Sequence, residues 1–213
     1  MRVNVGCGRS PINGWRNFDN SLSIRLAKIP LLPSVLANLG FLGTPQREFI
    51  DFLRSHQVEY ADAASCLPLA NEVVEVLYSS HMLEHLDRHE ASVFLTEAMR
   101  VLRPSGIVRL ALPDIKKQVE SYLDSGDADT FIAGTHLTQP RPRSPGSRLR
   151  LLVTGARHHH WMYDGSSLCQ LLASRGFARP RVVAPGETRI PNPGELDLFE
   201  RASESVYVEA EKA

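Results

Sequence analysis

The feature that most restricts the fold is Val3-Asn4-Val5-Gly6-Cys7-Gly8, a short apolar strand running straight into two glycines one residue apart. Side chains at those positions would keep a ligand off the main chain, so paired glycines at a strand mouth suggest a cofactor lying against the backbone. A lone G-x-G is weak evidence. Three later apolar segments end comparably: Gly14–Phe18 in Asp19, Val58–Ala61 in Asp62, and Val73–Tyr78 in Ser79-Ser80-His81. Small or acidic residues at successive strand ends mark the edge where open α/β sheets bind ligands.

At 213 residues the chain is most simply one domain, 1–213, large enough for a substantial core. Its 24 basic and 24 acidic side chains cancel, so no global field draws it to nucleic acid, and no nucleic-acid partner is expected. Three distant cysteines (Cys7, Cys66, Cys169) without a C-x-x-C argue for a reducing compartment, hence a cytoplasmic protein without a leader. Residues 29–46 are uncharged and apolar, but Pro30, Pro33, Gly40, Gly43 and Pro45 break the run, so no transmembrane span is expected.

The connection from Gly8 to Asp19 holds Pro11, Asn13 and Gly14 and is short for a crossover with a helix, so the first helix is reduced to a turn or absent. Residues 20–57 form an apolar cap segment with a helical stretch over Glu48–His56; a membrane-facing or lipid-facing flap is its alternative reading, which would place the protein peripherally at a membrane. Asp87 with Glu90 caps a helix over residues 91–102, and Pro104-Ser105-Gly106 stops it. A fifth strand follows over Ile107–Leu112. Residues 115–163 form an insert, helical over Ile115–Leu123. Asp164 caps a helix over Ser166–Arg175, and the last two strands lie at Arg181–Val183 and Ser205–Glu209.

Taken in order, Asn-Val-Gly-Cys-Gly, Gly-Trp-Arg-Asn-Phe-Asp, Asp62-Ala63, Leu-Glu-His-Leu, Leu-Arg-Pro-Ser-Gly and Leu-Pro-Asp resemble the class I S-adenosylmethionine (SAM) dependent methyltransferases. With His-Trp-Met-Tyr-Asp, Gly-Glu-Thr-Arg-Ile-Pro and Glu-Ser-Val-Tyr-Val-Glu-Ala, the whole chain is similar to predicted methyltransferases of bacterial surface-polysaccharide assembly. The resemblance implies an α/β, Rossmann-like sheet, mostly parallel with an antiparallel C-terminal strand. It also implies SAM as cofactor, held by Val5, Gly6, Cys7 and Gly8, by Asp19 on the ribose hydroxyls, and by Asp62 and Ala63 at the adenine. Ser79, Ser80 and His81 would pass beneath the methyl donor.

His81-Met82-Leu83-Glu84-His85 carries competing readings. On a helix, His81, Glu84 and His85 share a face, and H-x-x-E-H is also an inverted zinc-protease pattern, which would make the chain a metal hydrolase. Some metal-dependent O-methyltransferases carry Glu-x-x-Glu-His here, but His81 replaces the first glutamate. Hydrogen bonding that fixes the loop beneath the cofactor is placed first, and no metal site is assigned.

The resemblance implies methyl transfer to an oxygen or nitrogen acceptor by in-line attack, in which positioning supplies much of the catalysis. His160 is the first candidate base and His85 the second, against a packed or loop histidine, with Tyr163 and Asp164 orienting the acceptor or His160. Between Asp129 and Asp164 there is no acidic residue, while Arg141, Arg143, Arg148 and Arg150 recur, which fits a basic lid for an anionic saccharide or glycolipid precursor as well as it fits a solvated loop. A SAM-binding partner of a glycosyltransferase, without turnover, is the alternative to an enzyme.

Overall fold

The computed structural model describes residues 1–38, 40–138 and 158–213. Its strands are β1 (Arg2–Val5), β2 (Arg16–Asp19), β3 (Glu59–Tyr60), β4 (Val74–Ser80), β5 (Leu102–Pro113), β6 (Phe177–Val183) and β7 (Ser205–Lys212). They form one sheet in the order β3-β2-β1-β4-β5-β7-β6. Pairing is parallel from β3 to β5, and β7 runs antiparallel to both its neighbours, β5 and β6. The described helices are α1 (Leu22–Ala27), α2 (Leu32–Asn38), α3 (Thr44–Ser55), α4 (Arg88–Val101), α5 (Ile115–Ser125), α6 (Ala128–Thr135) and α7 (Gly165–Ser174).

The expected reduction of the first helix is borne out: β1 and β2 are parallel neighbours joined by a connection that holds only turns. Asparagines supply what a helix would have. Buried Asn17 accepts from the Ile12 N–H (2.8 Å) and donates to the carbonyls of Ile12 and Trp15 (both 3.1 Å). Buried Asn4 donates to Asn17 Oδ1 (3.3 Å) and to the Ser10 carbonyl (3.0 Å). Side-chain amides thus absorb the backbone groups that a helix would have paired internally.

Strand alternation sorts the interior into two layers. Leu77, Val108, Leu110, Val206 and Val208 face Phe94, Leu95 and Ala98 of α4 and Leu168 and Leu172 of α7. The alternate residues Val76, Tyr78, Ile107, Ala111 and Tyr207 face Ile12, Ile190 and Leu196, so irregular chain covers that side. A third cluster, Cys7 with Ile24, Leu53 and Val58, fastens α1 and α3 to the glycine loop. This is the expected cap segment, now three short helices, of which α3 begins at Thr44 rather than near Glu48.

Other boundaries differ for physical reasons. Pro104-Ser105-Gly106 does not separate helix from strand: β5 starts at Leu102 and bulges over these residues, Leu102 pairing with Val74 and Ile107 with Val76. β6 begins at Phe177, four residues before Arg181, because a second shift between Ala178 and Arg181 keeps it paired to β7. Helix α6 was not expected; Asp127 caps it through the Thr130 N–H (3.1 Å). The capping box of Asp87 and Glu90 on α4 and the Asp164 cap on α7 are as expected. No described helix is long and apolar enough to cross a membrane.

Arg109 of β5 and Glu209 of β7 are both fully buried on the loop-covered face and meet at 2.7 Å. Glu209 also accepts from Thr188 Oγ1 (2.6 Å) and the Arg189 N–H (2.8 Å), so the pair fastens segment 187–189 to the sheet. Glu209→Leu strands a buried guanidinium and should cost about 3–5 kcal/mol, whereas Arg109→Met combined with Glu209→Leu should regain most of it. Urea unfolding of the three proteins measures this; equal losses in the single and double variants would contradict it.

Candidate active site

The carboxyl ends of β1, β2 and β4 converge. The N–H groups of Gly6 and Cys7 both donate to the Phe18 carbonyl, at 2.8 and 3.0 Å, and the Gly8 N–H donates to Asp19 Oδ2 at 3.0 Å. Asp19 Oδ1 accepts from the Ser21 N–H at 2.8 Å. Asp19 therefore fixes the glycine loop to α1 while retaining lone pairs, since a carboxylate offers about four acceptor sites. Gly6 and Gly8 both take positive φ, +75° and +51°. Their surroundings differ: a Cβ on Gly6 would lie 2.5 Å from Met82 Cγ, whereas one on Gly8 would meet nothing within 4 Å. The loop is thus packed on one side and open on the other.

Cys7 points away from that opening, into the cluster under α1 and α3. Burial, with the Asp19 charge adding to it, pushes its thiol up to about 12, so it stays protonated. Asp62 accepts from the Ala64 N–H through Oδ1 (3.0 Å), and Ala61 N–H donates to the Asp19 carbonyl (3.1 Å), which sets the two acidic strand ends side by side.

β4 ends in Ser79 and Ser80, whose buried hydroxyls have no hydrogen-bond partner among the described residues. The chain then reverses at His81, whose φ of +48° non-glycine residues seldom adopt. The expected helical face of His81, Glu84 and His85 is not formed, because only Leu83–His85 makes a 3-10 turn. His81 is instead held by Ser205 Oγ at Nε2 (2.9 Å) and by Arg201 Nη1 at Nδ1 (3.3 Å). Glu84 is 1% exposed and both its carboxylate oxygens lack hydrogen-bond partners among the described residues. His81 Nδ1 lies 3.4 Å from its Oε1.

Onto this turn folds the segment that follows the insert. The N–H groups of His160 and Trp161 both donate to the Glu84 carbonyl (2.7 and 3.2 Å), and the His159 N–H donates to the His136 carbonyl (2.9 Å). Along this bent stretch the middle ring is buried and its neighbours are more open. The rings of His158 and His160 meet at a tilt of 41°, 4.3 Å between centroids, with His160 exposed. His159 turns inward and meets the rings of His85 and His136 edge-on, at 5.0 and 5.2 Å. Burial lowers the pKa of His159, against a partial rise from Glu84. His85 Nδ1 faces the His158 carbonyl at 3.0 Å. Tyr163 is buried, its hydroxyl held protonated by burial. The Asp164 carboxylate serves the Ser167 N–H as helix cap (2.7 Å).

Of the expected site residues, the fold gathers Gly6, Gly8, Asp19, Ser79, Ser80, His81, His85 and His160 along one edge. Arg141, Arg143, Arg148 and Arg150 lie outside the described residues. Met82 and His159 were not foreseen as site elements, and the depth of Glu84, read from sequence only as part of the H-x-x-E-H pattern, was not either. The one available signal for His159 was its place in a run of three histidines.

The strand order with an antiparallel β7 is the class I methyltransferase arrangement. Residues 3–110 match the family model described as "Methyltransferase domain", and the chain belongs to that family; it is a SAM-dependent methyltransferase. No curated protein sequence is close enough to count as a relative. Among solved structures, a SAM-dependent methyltransferase from Thermotoga maritima, described as a possible histamine N-methyltransferase, is 14% identical and aligns over 100% of this chain and 82% of its own with a TM-score of 0.55. A SAM-dependent methyltransferase from Methanosarcina mazei is 15% identical over 99% and 91%, with a TM-score of 0.53. At that identity the likeness is one of fold.

The two glycines should respond differently to a methyl group. Gly8→Ala meets only the left-handed backbone, roughly 1–2 kcal/mol. Gly6→Ala adds the Met82 contact and should lose clearly more, and Met82→Ala should restore part of that loss. Denaturant melts of the four variants measure it; equal stability of Gly6→Ala and Gly8→Ala would show that Met82 does not wall the loop.

Proposed function

We propose that the chain transfers the methyl group of SAM to an oxygen or nitrogen of an anionic saccharide or glycolipid precursor, in the assembly of a surface polysaccharide, acting as one domain over residues 1–213. The observation that carries the reading is the open side of Gly8, whose N–H is held by the Asp19 carboxylate. These groups fit a polar ligand laid against the backbone. In this reading the main chain of Val5, Gly6, Cys7 and Gly8 lies along the methionine moiety, Asp19 accepts from the ribose hydroxyls, Asp62 and Ala63 read the adenine, and Ser79, Ser80 and His81 line the floor. SAM supplies an electrophilic methyl on a sulfonium; the protein supplies alignment and a route for the acceptor's proton.

On the acceptor side, His160 is the proposed base, being exposed and held by its own N–H on the Glu84 carbonyl, with His85 as second candidate. Tyr163 and Asp164 position this segment from below, through β5 and α7. The arginines of the insert (115–163), unbalanced by any acidic residue between Asp129 and Asp164, favour an anionic acceptor.

Titration calorimetry with SAM tests the cofactor side. Asp19→Ala should weaken binding by about 1.5–3 kcal/mol, the loss of charge-assisted hydrogen bonds. Asp62→Ala should lose its preference for SAM over an inosine analogue of the cofactor. Wild-type affinity in Asp19→Ala, or undiminished preference in Asp62→Ala, would refute the assignment concerned.

Steady-state kinetics with candidate acceptors tests the other side. Replacing Arg141, Arg143, Arg148 and Arg150 by serine should raise the acceptor KM, less so at high salt, and leave SAM affinity unchanged. His160→Ala should lower kcat by about 10²–10⁴-fold. A quadruple variant that stays folded but loses SAM would move the insert to the cofactor side.

A further inference from the structure

We propose that Glu84, His85 and His159 form a site for a divalent transition-metal ion, whose free coordination positions take an oxygen of the methyl acceptor. One ligand atom from each residue lies within 4.8 Å of the others. Modest side-chain rotation would bring such donors to the roughly 2.0–2.2 Å bonds typical of imidazole and carboxylate ligands.

Two independent observations point to an ion. Glu84 is 1% exposed and neither carboxylate oxygen has a hydrogen-bond donor among the described residues, His81 Nδ1 standing off at 3.4 Å; burial disfavours such a carboxylate unless a closer cation is supplied. His85 is oriented as a ligand: its Nδ1 lies 3.0 Å from the His158 carbonyl, so that atom carries the proton and Nε2 keeps the lone pair. The set differs from the H-x-x-E-H reading of the sequence. His81 is occupied at both nitrogens, by Ser205 and Arg201, and flanks Glu84 instead of joining it. His159 arrives from the far end of the insert.

Two imidazoles and one carboxylate favour a borderline first-row ion such as Zn²⁺ over a harder one such as Mn²⁺, and three protein ligands leave positions open. The site adjoins the glycine loop, since Met82, two residues before Glu84, walls Gly6. The proposal rests on the methyltransferase reading of this edge and narrows its acceptor to oxygen. A hydroxyl bound to the ion loses its proton more readily. As its oxygen forms the new bond to the methyl carbon, the sulfur–methyl bond breaks with its electron pair going to sulfur, and the proton leaves through exposed His160 to water. His85, as a ligand, is then not a base.

Equilibrium dialysis of the chelator-stripped full-length protein against Zn²⁺ and Mn²⁺, read by elemental analysis, tests this beside calorimetry with S-adenosylhomocysteine. The stripped protein should take up one equivalent of ion and melt at a higher temperature with it. Glu84→Gln and His159→Ala should each lower ion affinity by more than about tenfold, and His158→Ala should not. Without metal, Glu84→Gln should melt no lower than wild type, because it removes an unpartnered buried charge. Absence of uptake, or full affinity in Glu84→Gln, overturns the site; the latter would place the ion on the histidine triplet alone. S-adenosylhomocysteine binding without ion uptake overturns the metal site and leaves the methyltransferase reading standing, whereas loss of that binding in the wild type strikes the reading itself.

Discussion

The structure depends on how β1 is tied to β2 without a helix between them. In a parallel pair the connection must carry the chain back along the strands, and a helix normally satisfies its backbone on the way. Here Asn4 and Asn17 take over that pairing from inside the sheet, and the Phe18 carbonyl with the Asp19 carboxylate gathers three successive N–H groups of the glycine loop. The loop is consequently rigid before any ligand arrives. The space where the missing helix would have packed passes to α1 and α3, which reach the loop through Cys7.

Much of this was legible in the sequence. Glycines, strand-terminal acids and capping pairs are local signals, and they placed β1, β2, β4, α4 and α7 and the reduced crossover. Shifts of register were less legible, because they depend on a partner strand: β5 carries Pro104-Ser105-Gly106 as a bulge because Leu102 and Ile107 both pair with β4, at Val74 and Val76. The site followed the same rule. Gly8 and Asp19 could be named from their own neighbours in sequence. The environments of Glu84 and His159 could not, since one is set by the end of β4 and the other by a segment arriving some seventy residues later, and nothing local says which ring of a triplet turns inward.

Two buried carboxylates show how differently this molecule treats charge. Glu209 is matched by Arg109, Thr188 and Arg189, and reads as architecture. Glu84 sits at equal depth with histidines around it and no donor assigned to it among the described residues. Buried polar groups are ordinarily satisfied, and those left open tend to mark places where something else completes the arrangement. Glu209 lies within β7 and Glu84 in the short turn that follows β4, so one is reached by neighbouring strands and the other by the chain that folds over the strand ends.

The position of β7 has a consequence for how the chain reaches its native state. It is translated after both strands it separates, yet it lies between them, and Arg109 waits for a partner one hundred positions away. Until residues 205–212 leave the ribosome, β5 and β6 present bare edges and an unneutralised guanidinium. Such non-local pairing is slow, and exposed edges invite pairing with other chains. The nascent chain is therefore vulnerable to aggregation until β7 has emerged, and closure of the sheet is a cooperative event that needs all three strands.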